Sequence, residues 1–219
     1  MAQFDLQSVL QFAGDLKQNN NRSWFLDHRS DYEAARAHFE DYVAALIQEL
    51  SKTEPLADLS PKDCIFRLNR DLRFTKDKTP YKPYMSAYIA PGGRKSRLLG
   101  YYVHIEPGNA MLAGGLYEPN TQQLASWRES IVRDSRPFKD IIGSETFCKF
   151  FGEVGGERLK TIPRGYPKDH PEADLLRLKT VTVTRHVSDT EVASPAFFPE
   201  TIETFRVMKP FLEYLDTFL

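Results

Sequence analysis

YMSAYIAPGGRKSRLLGYYVHIEPGNAMLAGGLY, residues 84–117, decides the fold. Apolar and polar side chains alternate through YMSAYIAP (84–91), LLGYYVHIEP (98–107) and AMLAGGLY (110–117), with proline and glycine between the runs. A period of two, broken in this way, predicts short strands joined by tight loops. CIFRLNRD (64–71) and LKTVTVTRHV (178–187) read as two further strands of the same kind.

Outward from this centre the period lengthens. Phe4, Leu6, Val9, Leu10, Phe12, Ala13 and Leu16 recur at helical intervals, with Asp5 placed to cap them and Asn19–Asn21 to end them. A second helix is predicted from about His28 to Leu50, and Trp24 and Phe25 in the bridge between read as core anchors. Beyond Asn120 the helical period returns at Leu124, Trp127, Ile131 and Val132. Short helices follow over 138–142 and 145–151, and a final one over about 199–218. Helices, then strands, then helices with one returning strand define an α+β fold. The expectation is a mainly antiparallel sheet of about five strands with helices packed on its apolar face. No repeat or low-complexity linker interrupts the chain, so residues 1–219 read as a single domain. Its parts are N-terminal helices over 4–51, a strand-rich centre over 64–117, and a mixed helical and strand part over 120–219.

A chain of 219 residues buries roughly 70% of its unfolded surface and needs no staple. Its two cysteines, Cys64 and Cys148, lie in apolar runs and read as buried free thiols, which favours a reducing compartment. The first residues lack a cationic leader, and no stretch approaches the roughly 20 apolar residues of a membrane helix. The expectation is therefore a cytoplasmic protein without membrane partners.

A net charge of −1 and a pI near 6.5 argue against a basic coat for nucleic acid. The charge is nevertheless uneven. Residues 1–60 carry 5 basic and 10 acidic side chains, residues 61–110 carry 10 and 4, and the remainder sums to −2. A local anion-attracting surface follows from that concentration.

In the strands, side chains two apart share a face. Met85, Ala87 and Ile89 oppose Tyr84, Ser86 and Tyr88; Tyr101, Val103 and Ile105 oppose Tyr102, His104 and Glu106. The polar, tyrosine-rich face is either a solvated sheet surface or the floor of a cleft.

FRLNRDLRFTKDKTPYKPY, GYYVHIEPGNAMLAGGLYEP and LKTIPRGYPKDHP together resemble the three signature blocks of the family known as domain of unknown function 2461. The resemblance runs from about residue 4 to residue 215 in the expected order and spacing. It implies that the three blocks belong together, and it carries no activity, catalytic residue or cofactor with it. The chemistry has to come from the residues.

Residues 67–82 hold six cations, Arg67, Arg70, Arg73, Lys76, Lys78 and Lys82, against Asp71 and Asp77. Arginine offers a planar fork to phosphate or carboxylate, and lysine a mobile point charge. Pro80 and Pro83 stiffen the stretch, which either binds an anion or pairs its own charges in a structural network. Arg164, Lys168 and His170, stiffened by Pro163, Pro167 and Pro171, repeat the composition and form the candidate second half of a clamp. Tyr81, Tyr84 and Tyr102 are candidates to border or stack on the organic part of a ligand.

His104 and Glu106, on one strand face, are the candidate acid–base pair. They make a weak metal site, with no third spaced ligand, and neither a dinucleotide fingerprint, a Walker motif nor a nucleophile elbow is present. No metal or cofactor is therefore expected. Three functions stand open: a binding site, with or without catalysis, for a small phosphorylated or carboxylated ligand; a protein-interaction scaffold; and a nucleic-acid-binding module. The acidic flanks weigh against the last. The sequence leaves the oligomeric state open.

Overall fold

The computed structural model describes residues 4–56, 58–73 and 76–219, so Phe74 and Thr75 of the cationic stretch lie outside the described residues. The chain runs through α1 (Leu6–Gln18), α2 (Arg22–Asp27), α3 (Arg29–Leu50) and α4 (Pro61–Cys64) into β1 (Met85–Ile89), β2 (Tyr101–Ile105) and β3 (Ala110–Leu116). Then follow α5 (Thr121–Arg133), α6 (Arg136–Ile142), α7 (Glu145–Phe151), α8 (Ala173–Leu176), β4 (Val181–Val187), α9 (Asp189–Val192) and α10 (Phe197–Asp216). The fold is α+β, with a four-stranded antiparallel sheet in the order β1-β2-β3-β4. Among the described residues no helix is long and apolar enough to cross a membrane.

One expected strand is absent. Cys64 ends α4, and residues 65–70 run beside 80–87 through isolated bridges alone, Ile65 with Ala87 and Asn69 with Tyr81. The four steps from Ile65 to Asn69 face six from Tyr81 to Ala87, so the register slips by two across the gap. Pro80 and Pro83 have no N–H to give a ladder. The sheet therefore has four strands rather than about five.

The chain groups into two compact units. Unit 1 comprises Met1–Ser96, Tyr101–Leu112 and His186–Ile202. The Asp5 carboxylate caps α1 by accepting from the Ser8 N–H at 3.1 Å, and Asn21 caps α2 by accepting from Trp24 N–H at 3.0 Å. The bridge between the two predicted helices is thus itself a helical turn. Trp24 and Phe25 are half-buried there, so they fall short of core anchors; Trp24 stacks on His28 with ring centroids 4.1 Å apart.

α3 presents Ala35, Phe39, Tyr42, Val43, Leu46, Ile47 and Leu50 to the core and packs against α1 and β1. Tyr42 is fully buried, stacked 5.8 Å from Phe197, with its hydroxyl 2.6 Å from Thr201 Oγ1. Burial holds that hydroxyl well above the ordinary tyrosine pKa, so it stays protonated. The buried faces of β1 and β2 are the predicted ones, Met85, Ala87 and Ile89 with Tyr101, Val103 and Ile105.

Unit 2 comprises Arg97–Gly100, Ala113–Arg185 and Glu203–Leu219. Its core is aromatic: Trp127 meets Phe138 edge-on at 6.0 Å, and Phe211 lies 5.9 Å from Phe138 and 5.8 Å from Phe147. The paired glycines of β3 serve packing. A Cβ on Gly114 would strike Met208 and Leu212 of α10, and one on Gly115 would strike the Val181 backbone of β4. Cys148 departs from expectation. Phe147 and Phe151 take the buried face of α7, which leaves Cys148 exposed, its thiol donating to the Ile142 carbonyl at 3.3 Å; Cys64 is buried.

Candidate functional site

The polar face of β1 and β2, inside unit 1, collects the chemistry. Antiparallel pairing sets Ser86 opposite His104 and Tyr88 opposite Tyr102. The Tyr102 hydroxyl lies 3.0 Å from His104 Nδ1, and His104 Nε2 lies 3.0 Å from Glu106 Oε2. Asn109 Nδ2 donates to the same carboxylate oxygen at 3.0 Å, and Lys17 Nζ stands 3.8 Å from Oε1.

Local sequence explains the placement of Glu106 and Asn109. Glu106-Pro-Gly-Asn closes a turn through an Asn109 N–H···O=C Glu106 bond of 3.0 Å. Proline presets the second residue and Gly108, with φ +73°, supplies the left-handed third one. Asp189 Oδ1 accepts from Gly108 N–H at 2.9 Å and holds the turn from α9.

His104 is only 6% exposed. Burial lowers its pKa, the Glu106 hydrogen bond and charge oppose that, and the charge of Lys82 lowers it further. The net direction is down, so the ring is neutral at pH 7. A neutral ring between these partners donates from Nε2 to Glu106 and accepts at Nδ1 from the Tyr102 hydroxyl. Burial alone raises the Glu106 carboxyl, but the bonds from Asn109 and His104, with the nearby positive charge, bring it below the usual value. Tyr102, His104 and Glu106 form a chain of hydrogen bonds able to pass a proton.

Near this chain stands a cation, Lys82, with no ion pair among the described residues. The Lys82 N–H donates to the Leu68 carbonyl and the Arg70 N–H to the Pro80 carbonyl, each at 2.9 Å, which zips 66–70 onto 80–82. The Lys82 ammonium then lies 5.6 Å from the Phe66 ring centre and 5.8 Å from that of Tyr84. Tyr84 is 4.2 Å from the His104 ring, and Phe66 meets Tyr102 edge-on at 6.3 Å. Burial first, then the charges of Arg67 and Arg70, lower the Lys82 pKa. Neither Lys82 nor Arg67 makes a side-chain hydrogen bond or ion pair among the described residues, although Asp71 senses the Arg67 charge.

Three of the other cations of the stretch, Arg70, Arg73 and Lys78, are engaged within it. Arg70 pairs with Asp77 at 2.8 Å and donates to the Tyr81 carbonyl at 3.0 Å. Arg73 grips Asp71 with both Nε and Nη2, at 3.0 and 2.7 Å. Lys78 donates to the Leu72 carbonyl at 2.9 Å, and Lys76 is exposed. Tyr81 is 7% exposed, stacked 4.4 Å from Phe25, with its backbone N–H and carbonyl both bonded to the Asn20 amide. It anchors the base of the loop.

Arg164, Lys168 and His170 belong to unit 2. There Arg164 and Lys168 are exposed, while His170 is half-buried and accepts from the Glu172 N–H through Nδ1 at 3.1 Å. Two open surface cavities, of about 340 and 320 Å³, are lined by residues of 120–126 with 217–219 and of 44–51 with Leu59 and Pro61, and include none of the candidate residues. Sequence reasoning missed Lys17, Asn109 and Phe66. The Glu-Pro-Gly-Asn turn was the signal for Asn109; nothing local signals Lys17.

Fold and site together define an α+β protein whose polar strand face carries a buried, hydrogen-bonded histidine near a lysine with no ion pair among the described residues. The chain belongs to the family described as conserved hypothetical protein, DUF2461, whose model matches residues 8–214. No curated protein and no solved structure matches it.

Proposed function

We propose that the polar face of β1 and β2 binds a small anionic ligand, phosphorylated or carboxylated. Lys82 and Arg67 take the anionic group, the rings of Tyr84 and Tyr102 lie beside the organic part, and His104 with Glu106 exchanges a proton with it. The single observation that carries this reading is the Lys82 ammonium, set near further cations on a half-buried aromatic surface with no carboxylate paired to it among the described residues. A partly desolvated charge without a partner is unfavourable, and an incoming anion relieves it.

Inorganic phosphate, titrated while the His104 ring resonances are followed, tests the proposal. Binding should shift them, and Lys82→Met should weaken the affinity by about 1.5–3 kcal/mol, the range for a hydrogen bond to a charged group. Equal affinity in both proteins overturns it. A structural role is the second reading, favoured by the Arg70–Asp77 and Arg73–Asp71 pairs, which consume charge inside the loop. That reading expects Lys82→Met to leave phosphate binding unaltered.

A further inference from the structure

We propose that Lys82 acts as a nucleophilic amine that forms an imine with a small anionic carbonyl compound, a 2-oxo acid or a phosphorylated aldehyde. This rests on the anion-site reading above and names its substrate class. Three placements support it. The exposed Arg67 guanidinium, whose charge Asp71 senses, makes no side-chain hydrogen bond or ion pair among the described residues and can take the carboxylate or phosphate. The half-buried Lys82 ammonium feels the charges of Arg67 and Arg70 and has no carboxylate partner among the described residues to keep it charged. The Tyr84 ring centre lies 5.8 Å from the Lys82 ammonium and 4.2 Å from that of His104, which sets the proton relay one ring away from the amine.

The opposing effect is cation–π attraction, which favours the ammonium. Its reach is about 6 Å, and distances of 5.6 and 5.8 Å sit near that limit. Burial and two neighbouring guanidinium groups act against it by lowering the Lys82 pKa, and lowered basicity is what an imine-forming lysine needs.

The chemistry balances without an oxidant or reductant. The amine lone pair forms a C–N bond to the carbonyl carbon, and the C=O π pair moves to oxygen. That oxygen gains a proton while the nitrogen loses one, giving the carbinolamine. The hydroxyl then leaves as water, taking a proton from the Tyr102–His104–Glu106 chain; the nitrogen lone pair closes C=N, and the remaining N–H proton returns to the chain. The net change is one amine and one carbonyl to one imine and one water.

The probe is glyoxylate, followed by borohydride reduction and peptide mapping by mass, with Lys82→Arg as the control that keeps the charge and with melting curves confirming that it folds. The expected result is one dominant adduct, on Lys82, formed on the order of tenfold faster than on exposed lysines such as Lys76. It should be slowed by Arg67→Ala and absent in Lys82→Arg. Labelling spread evenly over the lysines overturns the proposal. The phosphate titration keeps the two readings apart. Phosphate binding without a preferred Lys82 adduct rejects the amine and retains the anion site, whereas a Lys82 adduct without phosphate binding supports the amine and rejects the anion site.

Discussion

Two neighbouring groups of cations share a composition and differ in their partners. In the loop over residues 70–79, Arg70 faces Asp77, Arg73 faces Asp71, and Lys78 is bonded to a backbone carbonyl. At the foot of the same segment Arg67 is exposed and Lys82 half-buried beside the Phe66 and Tyr84 rings, and neither makes a side-chain hydrogen bond or ion pair among the described residues. A count of charges cannot separate the two groups. What separates them is pairing: the loop ties two of its arginines to its own carboxylates, whereas its foot makes no ion pair among the described residues.

The sharpest way to break this contrast is at the loop's anchor. Tyr81→Ala removes a ring stacked on Phe25 and should cost about 3–5 kcal/mol of stability, as large aromatic truncations do. A denaturant midpoint unchanged from the parent protein denies Tyr81 its anchoring role. Lys82→Met comes next, with about a 10- to 150-fold loss of phosphate affinity. It should cost no stability, because an uncompensated half-buried charge disappears; a clear fall in melting temperature would show that Lys82 holds the fold instead.

The third effect is a dependence on pH. The folded chain holds the His104 pKa below 6.5, so in the window beneath 6.5 the unfolded chain alone takes the proton. Stability is therefore full above 6.5 and falls as pH drops through that window, and Glu106 adds a loss of the same sign below 4.5. Comparing urea midpoints at pH about 7.5 and 5.5 should show the decline in the parent protein and a flatter response in His104→Gln. The smallest effect belongs to Arg73→Ala. That pair is exposed, and exposed pairs contribute little. Both melting temperature and phosphate affinity should stay within error, and a large loss of affinity would move the anion site up into the loop.

How much of this was legible depended on whether the signal was local. α1, α3 and α10 bury one stripe each and announce themselves by period. His104 and Glu106 were legible for the same reason, since alternation alone puts them on one face. The run 64–71 had the alternation of a strand, but its pairing depends on a partner segment that contains Pro80 and Pro83 and slips by two residues. The burial of Tyr81 depends on Asn20 and Phe25, far away in the chain, so its tyrosine looked as available as Tyr84. Cys148 sat in an apolar run whose helix had already used its buried face for Phe147 and Phe151.

The two tryptophans give the molecule a pair of built-in optical labels. Trp24 lies in unit 1, half-exposed and stacked on the His28 imidazole, whereas Trp127 lies in unit 2 with none of its surface exposed. Indole emission moves to longer wavelength as water gains access, so Trp127 supplies a blue component and Trp24 a redder one. Trp24→Phe isolates the blue component. Unfolding followed at both wavelengths then reports on each unit without any attached dye, and coincident curves would mean that the two units melt as one.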